Sequence, residues 1–147
     1  MKRTLHTTSF LILFLLAPRL ALAADNFQTT ARGAEYKNLK RGAGESAAFG
    51  DVATMHFVGW LDENGEKGRE FYNTRRDGKP VSFVVGTDKV MEGWNEGVIG
   101  MKQGGKRLLM LHPDLAYGAK GVQNTIPPNA RLIFVIDLVL LEKKPAE

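Results

Sequence analysis

Cysteine is absent from the 147 residues. Thiol catalysis, a disulfide framework and lipid attachment to a cysteine are therefore excluded, and the fold must stand on its core alone. Histidine is almost as scarce. Only His6, His56 and His112 occur, the first in the amino-terminal segment, so no zinc-like ligand cluster can be assembled. His56 and His112 read as solvent-facing or structural side chains. The chain also lacks a Gly-x-Ser-x-Gly elbow and a glycine loop placed to cradle phosphate. "GMKQGGKR" is glycine-rich but leads into a strand pattern, whereas a phosphate loop leads into a helix, so it reads as a plain connection. No metal and no cofactor are expected.

A long hydrophobic run is found only at the start. "MKRTLHTTSFLILFLLAPRLALAAD" passes from basic Lys2 and Arg3 through apolar Phe10 to Leu16, then to Ala21 and Ala23 in an Ala-x-Ala pattern. Spanning a membrane takes about 20 apolar residues, and Pro18 and Arg19 interrupt this run well short of that. It reads as a secretory signal peptide, residues 1–23, with no membrane attachment after cleavage. Its removal takes three of the 20 basic side chains and none of the 16 acidic ones, which leaves 17 against 16 and a net charge of +1. The basic character of the whole chain thus belongs to the export signal, and a nucleic-acid partner is not expected.

What remains reads as a short polar arm, residues 24–32, loosely held, followed by one domain over residues 33–147. "AEYKNL" is a first strand and "KRGAGESAAFGD" a glycine-rich turn and connection. In "VATMHFVGWL" the residues Met55, Phe57 and Gly59 share one face, with Thr54, His56 and Val58 on the other. Asn64-Gly65 signals a hairpin, "EFYN" opens the next strand, and a turn with Asp77-Gly78 precedes "VSFVVG". "KRLLMLHP" and "ARLIFVIDLVLL" supply two more strands, the last placing Leu132, Phe134, Ile136, Leu138 and Leu140 on one side.

The single helical pattern is "DKVMEGWNEGVIG", where Val90, Met91, Trp94 and Val98 recur at near-helical spacing despite Gly93 and Gly97. Glu92 and Glu96, four apart, read as a solvated helix face ahead of an acid–base pair. One short helix cannot provide the crossovers that parallel neighbours need, so the expected fold is α+β, a twisted antiparallel sheet wrapped around that helix. Trp94 is the side chain large enough to fill the concave side.

The remaining concentration is aromatic: Phe57, Phe71, Phe83, Trp94, Tyr117 and Phe134, spread over strands, helix and the loop before the last strand. "VMEGWNEGV", then "HPDLAYGAKG" and "IPPNARLIF", resemble in order the FKBP-type peptidyl-prolyl isomerase family. The resemblance also takes in "YKNLKRGAGESAAFGD", "HFVGWL" and "REFYNTRRDGKPVSFVVG", and so covers nearly everything from Gly33 to Glu142. It implies a half-barrel with an apolar pocket that accepts proline. Trp94 would form the floor, and Phe57, Phe71, Val81, Val90, Met91, Ile126 and Phe134 the walls, with Tyr72 at the edge. Tyr117 would aim its hydroxyl at the substrate carbonyl and the Met91 N–H would hold a neighbouring one. Pro127 and Pro128 would stiffen the loop above the pocket. The acting group would be Tyr117, Trp94, Phe57 and Phe134.

Rotation of an X-Pro amide must cross about 18 to 20 kcal/mol without breaking a covalent bond, so a site lacking nucleophile and base suits it. A twisted amide loses resonance charge separation, and a dry aromatic pocket favours it over the polar planar form. The family's polar cluster of tyrosine, aspartate and arginine is replaced here by Phe57, Tyr72 and Asp77, and a wall aromatic by Val81. The implied function is a prolyl isomerase acting on exported, proline-containing polypeptides, in the periplasm or secreted, since "KKPAE" lacks a lumenal retention signal. A monomer that also takes macrolide inhibitors is expected. The alternatives are a low-turnover chaperone or prolyl-peptide binding module, and a purely structural domain without a pocket.

Overall fold

The computed structural model describes residues 26–145, and the signal peptide expected over residues 1–23 lies outside them. Nine strands and one α-helix follow in order: β1 (Gln28–Thr29), β2 (Glu35–Lys40), β3 (Ala43–Ser46), β4 (Val52–Glu63), β5 (Glu66–Asn73), β6 (Val81–Val84), α1 (Glu92–Val98), β7 (Lys102–Gln103), β8 (Lys106–Leu111) and β9 (Leu132–Glu142). The main sheet runs β1-β2-β8-β9-β4-β5, with β6 also on β4, and β3 pairs with β7 in a small second sheet. Every pairing is antiparallel, as the short loops require.

β4 organises the molecule because its alternation is strict. Ala53, Met55 and Phe57 are buried and Thr54, His56 and Val58 lie between them. One edge pairs with β9 along its length, while the other is shared by β6 at Val52–Met55 and β5 from Val58 onward. Asn64 and Gly65 close the β4–β5 hairpin with φ of 59° and 89°, the left-handed pair that a two-residue turn needs. His56 is structural: its Nδ1 lies 2.9 Å from the Thr74 hydroxyl, which also accepts the Phe57 N–H at 2.9 Å.

α1 covers the concave face. It begins at Glu92, so Val90 and Met91 sit in the turn before it and do not form its first residues. The two glycines that weaken its propensity are required by packing. A Cβ on Gly93 would come within 2.4 Å of Leu111, and one on Gly97 within 2.4 Å of Leu109, so only glycine lets the helix lie this close to β8. Buried Asn95 fastens it to the loop after β6, accepting the Gly86 N–H at 2.8 Å and donating to the Thr87 carbonyl at 2.7 Å.

Three expectations need correction. The arm over residues 24–32 is held where it is described: β1 pairs with Glu35 and Tyr36, the Thr30 hydroxyl donates to Glu96, and Arg32 meets Glu92 at 2.6 Å. Glu92 and Glu96 therefore anchor this segment from a helix face that stays partly solvated, with the Glu92 side chain 41% exposed. The connection over 41–50 contains β3, paired with β7. Finally, Leu140 does not share the face of Leu138. The register opposite Met55 and Thr54 jumps from Leu138 to Leu140, a bulge that rotates the strand, so Leu138 is 1% exposed and Leu140 42%.

Candidate functional site

The aromatic side chains converge on Trp94. Its ring lies 4.7 Å from Phe57 and 5.9 Å from Phe134, both edge-on, and 5.9 Å from Phe83. Phe71 meets Phe134 edge-on at 5.7 Å. Edge-to-face contacts of this kind add about 0.5 to 1.5 kcal/mol each beyond area burial. β4, β5, β6 and β9 fix the phenylalanines and α1 fixes the indole, so the cluster is rigid. Trp94 is 8% exposed, and its Nε1 is the one buried side-chain nitrogen or oxygen among the described residues without a hydrogen-bond partner. Packing alone holds it.

Above this floor opens a cavity of about 410 Å³. Phe57, Phe71, Tyr72, Val81, Met91, Trp94, Tyr117, Ile126 and Phe134 all line it, so nine of the ten expected residues are brought together. Val90 is the exception: it packs against the core and does not border the cavity, although its neighbour Met91 in the same turn does. Sequence reading missed Val122 and Thr125, which also line it. Their signal was local, since both belong to the loop that carries Tyr117 and Ile126.

That loop is internally fastened. Val122 and Ile126 form an isolated bridge, each N–H donating to the other's carbonyl at 2.8 Å. The Asn129 N–H donates to the Gly118 carbonyl at 2.8 Å, the Gly118 N–H to the Pro113 carbonyl at 2.9 Å, and Arg69 of β5 donates to the Thr125 carbonyl. Tyr117 is thereby presented at the mouth, 39% exposed. Burial pushes its phenol above the ordinary tyrosine value, so at neutral pH the hydroxyl is a neutral donor. Among the described residues it has no partner, and neither has the Met91 N–H at the start of α1.

No Asp, Glu, His, Lys or Arg lines the cavity. Proton transfer and nucleophilic attack have no agents there, whereas binding and twisting of an apolar amide segment do. A larger concavity of about 600 Å³ beside the β4–β5 hairpin is bordered by Asp62, Glu63 and Arg131 and contains no aromatic ring. The rim has its own character. Tyr72 stacks on Phe57 at 5.4 Å with planes 17° apart, while Asp77 lies exposed in the following turn, outside the cavity. Among the described residues no group of three or more His, Asp or Glu could hold a metal ion.

Residues 44–139 match the family described as FKBP-type peptidyl-prolyl cis-trans isomerase. The FK506-binding protein of Neisseria meningitidis serogroup A is 41% identical over 103 residues, which span 70% of this chain and 91% of that protein. The crystal structure of FkpA from Escherichia coli superposes with a TM-score of 0.70 at 36% identity, over 81% of this chain but only 53% of FkpA. AtFKBP13 gives a TM-score of 0.68 at 33% identity, over 78% of this chain and 98% of that one.

Proposed function

The chain belongs to the FKBP-type peptidyl-prolyl cis-trans isomerase family, and we propose that it accelerates rotation about X-Pro bonds in polypeptides exported from the cytoplasm. The observation that carries this reading is the chemistry of the cavity, aromatic and apolar except for Thr125 and the two tyrosine hydroxyls, without a charged group, and roofed by a neutral phenol. Proline enters against Trp94, with Phe57, Phe71 and Phe134 excluding water. The planar amide carries more charge separation than the twisted one, so this surrounding raises the ground state relative to the transition state. Tyr117 and the Met91 N–H supply hydrogen bonds that hold the flanking carbonyls while the C–N bond turns. The export signal supports action in the periplasm or outside the cell.

The stacked pair of Phe57 and Tyr72 favours a second reading, a prolyl-peptide binding module of low turnover. It extends the apolar surface out to the rim, with Tyr72 45% exposed, where it can grip a client beyond the proline. Exchange spectroscopy on a short Ala-Leu-Pro-Phe peptide separates the two. Isomerisation sped up by catalytic amounts of protein supports the enzyme. Saturable binding with exchange left at the uncatalysed rate supports the module, and neither binding nor acceleration would reject both.

A further inference from the structure

The end of the sheet remote from the aromatic pocket carries a second, smaller cavity. Lys40 at the end of β2, Arg41 in the turn after it and Lys102 of β7 border a space of about 230 Å³, together with Asn38, Gly42 and Gly105. No Asp or Glu lines it, and none of the three cations joins an ion pair among the described residues. Their proximity is built in. A Cβ on Gly42 would fall 2.3 Å from the Gln103 carbonyl oxygen and 2.4 Å from that of Lys102, so only glycine lets the exit of β2 lie against the β7 turn.

Behind the cavity lies a fourth cation without a carboxylate. Arg107 of β8 is 3% exposed. Its guanidinium donates to Asn38 Oδ1 at 2.9 Å and to the carbonyls of Gly97 and Ile99 at 2.7 and 3.0 Å, and stacks over Tyr36 at 4.1 Å. All of these partners are neutral. A desolvated charge left without a counter-charge is costly even when its hydrogen bonds are made. Because Asn38 Oδ1 is committed to Arg107, the amide presents Nδ2 as its remaining group, a donor with no partner among the described residues.

We propose that the cavity bordered by Asn38, Lys40, Arg41 and Lys102 binds a doubly charged oxyanion of the phosphate type. The Asn38 amide donates to it directly, the three surface cations add charge-assisted hydrogen bonds, and Arg107 acts through Asn38 as the buried source of positive potential. The space of about 230 Å³ is more than one phosphate group fills, which leaves room for bound water around a free ion or for part of the organic group of a monoester. The site is independent of the prolyl pocket, which lies at the β4–β5 end of the same sheet.

Amide-resolved NMR titration of the whole protein tests this, with sodium phosphate and with glycerol phosphate, each against sodium chloride at matched ionic strength. The expected result is saturable shifts confined to residues 38–42 and 100–105 with phosphate and not with chloride. Saturation by glycerol phosphate as well would mean that a monoester is admitted, and saturation by inorganic phosphate alone would restrict the site to the free ion; both support it. Lys102→Glu, at an exposed position, should weaken binding about tenfold or more while the spectrum stays folded. Asn38→Asp should weaken it comparably yet raise the melting temperature, because a carboxylate would then face Arg107. Equal shifts from chloride, or parental affinity in both variants, would overturn the site. An Asn38→Asp protein that melts below the parent would overturn the role given to Arg107.

Discussion

The two ends of the main sheet make opposite use of the same scaffold. At the β4–β5 end the concave face stays open over Trp94 and is lined without a single charge, while at the β2 end the side chains around the smaller cavity are cationic and its buried neighbour is Arg107. Between them Leu109 and Ile136 are fully buried and serve only packing. The contrast teaches where stored cost resides. The aromatic end holds an indole N–H without a partner, the cationic end a guanidinium without a carboxylate, and each is a place where a ligand could supply what the fold leaves out.

The largest effect is expected from breaking the aromatic end. Trp94→Ala removes a buried ring that touches Phe57, Phe83 and Phe134, and should cost about 3 to 5 kcal/mol, read from denaturant melts, with peptide binding lost in parallel. An unchanged melt would mean that the floor is not a structural member. The spread between Trp94→Ala and Trp94→Phe isolates the packing contribution, since the indole N–H has no hydrogen bond to lose.

Asp51 provides a reference charge that, unlike Arg107, is fully compensated. It is buried, accepts the N–H groups of Ala48 and Lys144 at 2.8 and 3.0 Å, and meets Lys143 Nζ at 2.7 Å. The Lys143 hydrogen bond foremost, with the Lys144 N–H next, lowers its pKa from 3.8 to about 2. A lowered folded-state value means that the stabilisation is complete above pH 3.8 and fades as pH falls toward 2. Asp51→Asn should cost about 1.5 to 3 kcal/mol near neutral pH, and the gap from the parent should narrow in melts recorded across that acid window.

Smaller effects sharpen the picture of the pocket rim. Tyr117→Phe deletes one neutral hydrogen bond, worth about 0.5 to 1.5 kcal/mol, so kcat/KM should fall by up to about tenfold without a change in its pH profile. Complete loss would point to a proton-transfer role that no neighbouring side chain supports. Smallest for turnover should be Tyr72→Asp, which replaces an exposed ring by a carboxylate acceptor at the rim. It should tighten binding of an FK506-type macrolide while peptide isomerisation changes by less than about threefold. Weaker macrolide binding in the variant would show that the stack on Phe57 is itself the ligand surface.

Much of this arrangement was legible before any coordinates. The alternation in β4 and the Asn64-Gly65 turn are local signals found where the residues placed them, and the lone helix pattern is found too, starting later, at Glu92. So is the gathering of nine pocket residues, because the resemblance preserved their spacing through strands of defined length. Arg107 was in phase with Leu109 and Leu111 and could have been read as inward, but a basic residue at that position is ordinarily assigned to solvent.

The sequence by itself determined the strand and turn periods, the antiparallel class and the absence of thiol chemistry, since these depend on residues a few positions apart or on what the composition lacks; the pocket was implied by the family resemblance alone. Only the tertiary structure decided the rest. The bulge that turns Leu140 outward, the capture of Thr30 and Arg32 by Glu96 and Glu92, and the meeting of Lys40, Arg41 and Lys102 around Gly42 all join segments distant in the chain. Such contacts are selected by how closely two backbones can approach, and that distance is set by the whole packed core and by no local run of residues.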